Sequence, residues 1–97
     1  MITVYISIGN SDDKLSQYEW KRYVDLTRDV VRTDAEQVHG EWFSAPDSRW
    51  QNACWCVEVD SAVAPVMQHN LAAIAAYFKQ DSIAWAVAET QFIGPKS

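Results

Sequence analysis

Apolar and polar residues alternate from the second position of the chain. Ile2, Val4, Ile6 and Ile8 fall on one side and Thr3, Tyr5 and Ser7 on the other, the period-two pattern of a strand with one buried face. Gly9-Asn10-Ser11-Asp12-Asp13 then stops the strand, through residues that favour turns and tolerate left-handed backbone. Ser16 and Glu19 have the spacing of a capping box, and Leu15 with Trp20 fits the accompanying hydrophobic staple. From there to about Thr33 the period lengthens. Trp20, Tyr23, Thr27, Val30 and Val31 share one helical arc with Leu26 at its edge. Lys21, Asp25, Arg28, Asp29 and Arg32 fall mainly on the opposite side, which is expected to be solvated.

Alternation returns with Val38, Gly40 and Trp42 against His39, Glu41 and Phe43. Ala45-Pro46-Asp47-Ser48 reads as a four-residue hairpin loop, with Pro46 pre-set in φ for the second position of a type I turn. The strand that follows, Trp50 to Asp60, organises the rest: Ala53, Trp55, Val57 and Val59 point one way and Asn52, Cys54, Cys56 and Glu58 the other. Pairing Ser44 with Arg49 sets Trp42 opposite Gln51, Val38 opposite Trp55 and His39 opposite Cys54. This register keeps Val38, Trp42, Trp55 and Val57 on one face and holds Glu41 and Glu58 off it.

Ser61 is the expected cap of a second helix, with Pro65 in its first turn. Val63, Met67, Leu71, Ile74 and Phe78 form its buried stripe, and the opposite side carries His69, Ala72, Ala73 and Ala76 with Gln68 and Lys79 at its edges. Lys79-Gln80-Asp81-Ser82 breaks the helix. Ile83, Trp85 and Val87 alternate with Ala84, Ala86 and Ala88 as a last strand, and Phe92-Ile93-Gly94-Pro95 belongs to a short tail over residues 90–97.

The predicted order of strand, helix, strand, strand, helix, strand is that of the ferredoxin-like α+β arrangement, a four-stranded antiparallel sheet with two helices on one face. The right-handed crossover rule places the first and third strands in its centre. Trp20, Trp42, Trp55 and Trp85 are expected in the core, where each indole N–H needs a partner.

Composition narrows the function more than it defines it. Ninety-seven residues, 48% hydrophobic and 22% charged, suit one α+β domain spanning the chain. The net charge of -5, without a Lys/Arg cluster, disfavours nucleic acid and anionic membranes as partners. No apolar run approaches a membrane span, and the first strand lacks the basic start and apolar middle of a signal peptide, so a cytoplasmic location is expected. Cys54 and Cys56, two apart on one strand, suit reduced thiols better than a disulfide.

The candidate site is the sheet face without helices. In the predicted register it gathers Tyr5, His39, Glu41, Phe43, Trp50, Asn52, Cys54 and Cys56, more apolar surface than a monomer usually leaves bare. Homodimerisation through this face is the first expectation, a heterologous protein partner the second and an enclosed small-molecule pocket the third. An aromatic open sheet of this topology also resembles RNA-recognition-motif domains, but the charge is wrong and the central strand carries no Lys/Arg-Gly-Phe stretch. His39, Cys54 and Cys56 form a soft ligand set of the zinc type, with two thiols beside a polar His as the simpler reading, so no metal and no cofactor is expected. The acidic loop from Asn10 to Lys14 lacks the alternate oxygens and terminal Glu of a calcium loop.

No serine sits in a nucleophile elbow, and His39 with Cys54 is the one base and nucleophile pairing, without an oxyanion donor. Small proteins of this topology also pair into dimeric α+β barrels, some of which resemble cofactor-independent monooxygenases or isomerases. Tyr5, His39, Trp50 and Asn52 match their residue types. Two strings, Ile-Gly-Asn-Ser-Asp-Asp-Lys-Leu at 8–15 and Trp-Gln-Asn-Ala-Cys-Trp-Cys at 50–56, are similar to small uncharacterised proteins of actinobacteria and their phages. That resemblance brings no assigned chemistry; it implies an accessory protein of a mobile element. The expected function is a non-enzymatic interaction module, with a cofactor-independent enzyme or ligand binder on the same face as the alternative.

Overall fold

The alternation of the first strand is realised residue by residue, since Val4, Ile6 and Ile8 are buried while Tyr5 is exposed. In the computed structural model, which describes residues 1–10, 13–45, 47, 48 and 50–96, the elements run β1 (Ile2–Gly9), α1 (Gln17–Asp34), β2 (Gln37–Phe43), β3 (Asn52–Val59), α2 (Ala64–Tyr77) and β4 (Ala84–Ala88). Every pairing is antiparallel and the order is β2-β3-β1-β4, so β1 and β3 are central. The chain is an α+β domain of ferredoxin-like topology, with both helices on one face.

The turn into α1 is built on Asn10. Its buried amide accepts from Leu15 N–H and donates to the Leu15 carbonyl, both at 3.0 Å, and its backbone N–H donates to the Gln51 carbonyl at 2.8 Å. Gln51 in turn exchanges two side-chain bonds with Gln17. The polar stretch read as a turn is therefore also a clasp between β1, α1 and the start of β3. The capping box is present: Ser16 Oγ accepts from Glu19 N–H, and Ser16 N–H donates to Glu19 Oε1. Leu15 is buried and Trp20 packs against the core, as a staple requires.

α2 departs from its predicted start. The N-cap position is Val63 without a side-chain bond, and Asp60 makes the turn instead of Ser61. Asp60 Oδ1 accepts from Ala62 N–H, and its carbonyl accepts from both Val63 and Ala64. At the other end Lys79 N–H reaches the Ala76 carbonyl and Gln80 N–H the Ala75 carbonyl, a Schellman closure. It places Lys79 at φ 56, a left-handed conformation that a non-glycine residue adopts at a cost.

One core joins the sheet and both helices. Trp55, Tyr23, Ile6, Met67, Val4, Val31, Val57 and Val59 are its largest fully buried side chains. Met67, Leu71 and Phe78 are buried as the helical stripe requires, while Val63 and Ile74 are partly buried. Tyr23 stacks against Phe78 at 5.1 Å and meets Trp20 edge-on. Its hydroxyl is buried and finds no hydrogen-bond partner among the described residues; burial pushes its pKa up to about 12.

The hairpin between β2 and β3 is where the predicted register fails. Ser44 N–H bonds the Asn52 carbonyl and Asn52 N–H bonds Ser44 Oγ, so the ladder closes at that pair. Arg49 and Pro46 lie outside the described residues, and with them the predicted Ser44 to Arg49 pair and the proline turn position. Ser11, Asp12 and Ser97 lie outside them too.

A buried hydroxyl without a partner costs roughly 1–3 kcal/mol relative to its hydrated state. Tyr23→Phe is expected to raise stability by about 1 kcal/mol in urea unfolding, with an unchanged m-value; a loss of stability would show that the hydroxyl is satisfied in solution.

Candidate functional site on the uncovered sheet face

The face opposite the helices is set by a β-bulge at His39. Gln37 pairs with Glu58 and Val38 with Val57; beyond the bulge Gly40 pairs with Cys56, Glu41 with Trp55, Trp42 with Cys54 and Phe43 with Ala53. A bulge inserts one unpaired residue, so every side chain after it changes face. Trp42 therefore turns outward and is 54% exposed, rather than joining the core. Glu41 and Phe43 turn to the helix side, against the predicted placement of both on the open face.

Glu41 is stable in that position because three groups meet there. Its Oε1 accepts from Trp55 Nε1 at 2.9 Å and from Arg28 Nε on α1, whose guanidinium also bonds Asp25 at 3.1 Å and lies 5.7 Å from the Phe43 ring centroid. Partial burial alone would push the Glu41 carboxyl up, but the Arg28 and Trp55 hydrogen bonds and the Arg28 charge outweigh it and hold it below the usual carboxylate range. Arg28 is thus half-buried, not part of a purely solvated helix side. The sequence signal was available: a buried Trp55 needs an acceptor, and the predicted register offered none.

What remains on the open face is Thr3, Tyr5 and Ser7 from β1, Gln37, His39, Gly40 and Trp42 from β2, and Asn52, Cys54, Cys56 and Glu58 from β3. Ala84, Ala86 and Ala88 of β4 lie opposite Ser7, Tyr5 and Thr3. Trp50, in the loop before β3, is 52% exposed. Gly40 leaves room for this placement, because a Cβ at that position would stand 2.5 Å and 2.7 Å from atoms of the Trp42 indole, which would have to move aside. The indole therefore lies across the bare backbone of its own strand.

Cys56, between Tyr5 and Gly40, is buried although no helix covers it, and Cys54 is partly exposed; both are free thiols. The side-chain bond between Tyr5 and Cys56 raises the Tyr5 pKa. At the far end of the face the Thr3 hydroxyl donates to Glu58 Oε1, and His39 Nε2 lies 3.2 Å from the same oxygen. The Thr3 bond leads in holding the Glu58 carboxyl below its usual range, partial desolvation opposes it, and His39 adds to the lowering.

Of the predicted site residues, Tyr5, His39, Asn52, Cys54 and Cys56 share the open face, Trp50 is exposed beside the start of β3, and Glu41 and Phe43 lie behind the sheet; Trp42 was missed. The proposed zinc trio is not assembled. Trp42, not His39, stands opposite Cys54, His39 is engaged with Glu58, and among the described residues no three His, Cys, Asp or Glu side chains are grouped to hold a metal. Nor do Tyr5, His39, Trp50 and Asn52 converge, since His39 and Asn52 lie near opposite ends of β3, about 20 Å apart at the rise of a strand. The arrangement suits contact with another surface better than chemistry at a point. Among the described residues no helix is long and apolar enough to cross a membrane. No protein-family profile matches the chain, and no curated protein matches it in sequence.

Two predictions follow from this geometry. A folded-state Glu41 pKa below the unfolded one contributes stability above pH of about 4.3, lost as pH falls through the folded-state value. Glu41→Gln is therefore expected to cost about 1–2 kcal/mol at pH 7, discounted for partial exposure, and to flatten the acid limb of a urea-stability profile between pH 5 and 3. Gly40→Ala should change stability by less than about 1 kcal/mol, because a half-exposed indole can swing aside. The Trp42 indole N–H resonance should nevertheless shift; a spectrum unchanged at that resonance would mean that the ring does not lie on Gly40.

Proposed function

We propose that this protein is a non-enzymatic interaction module that joins a second copy of itself through the open sheet face and acts as an accessory or modulator of another protein. The observation that carries this reading is Trp42, an aromatic side chain turned out of the core by the bulge and laid flat on Gly40, with Tyr5 half-exposed on the same face. Aromatic side chains presented on a rigid strand cost little conformational entropy to bury and are common anchors of protein interfaces. Around them the face is small and weakly polar: alanines on β4, two thiols, Ser7 and Asn52. Among the described residues Glu58 is its one carboxylate, already hydrogen-bonded by Thr3 and His39. Such a surface loses little on desolvation. The net charge of -5 and the lack of a basic cluster support a protein partner over nucleic acid or an anionic membrane.

The test is native mass spectrometry of the protein and of Tyr5→Ser combined with Trp42→Ser. The substitution is expected to halve the mass of the assembly while far-UV circular dichroism stays the same. An assembly of unchanged mass would remove the open face as the self-association surface.

A further inference from the structure

The two edges of the sheet differ in kind. β2 carries the bulge at His39 and the ionisable side chains of His39 and Glu41, devices that keep an edge from pairing with another strand. β4 reads Ala-Trp-Ala-Val-Ala, without charge, proline or bulge, and it pairs with β1 alone. An edge of this kind is a template for an added strand.

Beside it, on the helix side, lies an apolar hollow of about 450 Å³ between α2 and β4, walled chiefly by Leu71, Ala72, Ala75, Ala76, Ile83 and Trp85. Val87, next along β4 on the side of Trp85, is 60% exposed. The segment that continues β4 carries Phe92 and Ile93 at 96% and 93% exposure, the two most exposed large apolar side chains among the described residues.

We infer that β4 and the segment 89–93 of one copy pair antiparallel with the same stretch of a second copy, each placing Ile93 in the hollow of the other. Three observations lead there. Strand alternation continued beyond Ala88 puts Ile93 on the side of Ile83 and Trp85, facing the hollow, and Phe92 on the side of Ala84 and Ala86, where alanines leave room for a ring. Antiparallel pairing of identical edges is self-complementary, so the groove and the residue that fills it exchange reciprocally about a two-fold axis. Folding back within one chain is disfavoured, because Glu89-Thr90-Gln91 contains none of the Gly, Asn, Asp or Pro residues that a tight reversal uses. The segment therefore leaves its own strand and meets another. A specific dimer buries roughly 800 Å² on each partner and an aromatic side chain about 200 Å². Phe92 alone is insufficient, and the strand edge and the walls of the hollow have to contribute.

This contact uses neither Tyr5 nor Trp42, so it stands or falls apart from the open-face reading. The experiment is hydrogen exchange read by mass spectrometry on the full chain, in dilute and concentrated protein, for the wild type, Phe92→Ser with Ile93→Ser, and Tyr5→Ser with Trp42→Ser. The expected result is exchange over 84–93 that slows roughly tenfold or more on concentration, is fast in the Phe92/Ile93 variant, and is still slowed in the Tyr5/Trp42 variant. Fast exchange at every concentration overturns the inference. Protection that persists in dilute monomer also overturns it, by showing that the segment folds onto its own strand. Protection lost only in the Tyr5/Trp42 variant overturns it as well, by assigning the effect to the open face.

Discussion

The buried indole N–H of Trp55 is the constraint on which the sheet depends. Trp55 sits in the middle of a central strand beneath α1, where an unbonded donor would cost roughly 1–3 kcal/mol, and its neighbours in the core are hydrocarbon. Glu41 supplies the acceptor. A carboxylate drawn beneath a helix needs a compensating charge, and Arg28 of α1 provides it from above. For Glu41 to face that way, the strand must change its alternation, which it does by leaving His39 unpaired in a bulge. The same half-turn sends Trp42 outward. The satisfied core and the aromatic open face are thus two consequences of one inserted residue, and the bare backbone of Gly40 is where the outward indole rests.

Much of this fold is legible in the sequence because its causes are local. The alternation of residues 2–8, the Ser16/Glu19 box, the Met67, Leu71 and Phe78 stripe and the alternation of residues 53–59 each follow from neighbours within a few positions, and together they give the topology. The register of β2 does not follow from such neighbours. Period-two alternation across residues 38–43 is as regular with Trp42 inward as with Glu41 inward, and hydrophobicity favours the first. The choice is made by Arg28, ten or more positions earlier, and by Trp55, as far beyond. A mid-strand glycine two residues before a tryptophan, and a buried tryptophan short of an acceptor, were the traces of that choice. The start of α2 differs from the expected Ser61 cap for a similar reason: the chain leaves β3 through a turn closed by Asp60, so the helix begins at Ala64 with Val63 as its uncapped N-cap position.

The candidate site was legible to the same extent. Residues whose face is fixed by β1 or β3, namely Tyr5, Asn52, Cys54 and Cys56, lie where alternation puts them, and so does His39, which precedes the change of parity. Glu41 and Phe43 follow it and are displaced. The metal reading depended on His39 standing across from Cys54, so the shift in register that moved Trp42 into that place also dispersed the trio.

The bulge also separates the two sides of the sheet as surfaces for assembly. On β2 it leaves an irregular edge with ionisable groups, poorly suited to another strand. On β4 nothing comparable exists, and the small side chains of Ala84, Ala86 and Ala88 lower the wall of the open face at that end. The surfaces that lack protection are therefore adjoining: the aromatic centre of the face and the bare edge beside it. A domain of this size buries a limited core; of the large apolar side chains left exposed, Tyr18, Val66 and Tyr77 lie on the helices, while Tyr5 and Trp42 share the open face and Val87, Phe92 and Ile93 follow the edge beside it. The two groups on the face and the edge adjoin one another, although Glu89 interrupts the second and Asp81 borders the hollow beside it; contiguity, more than freedom from charge, is what sets them apart from the single apolar side chains on the helices.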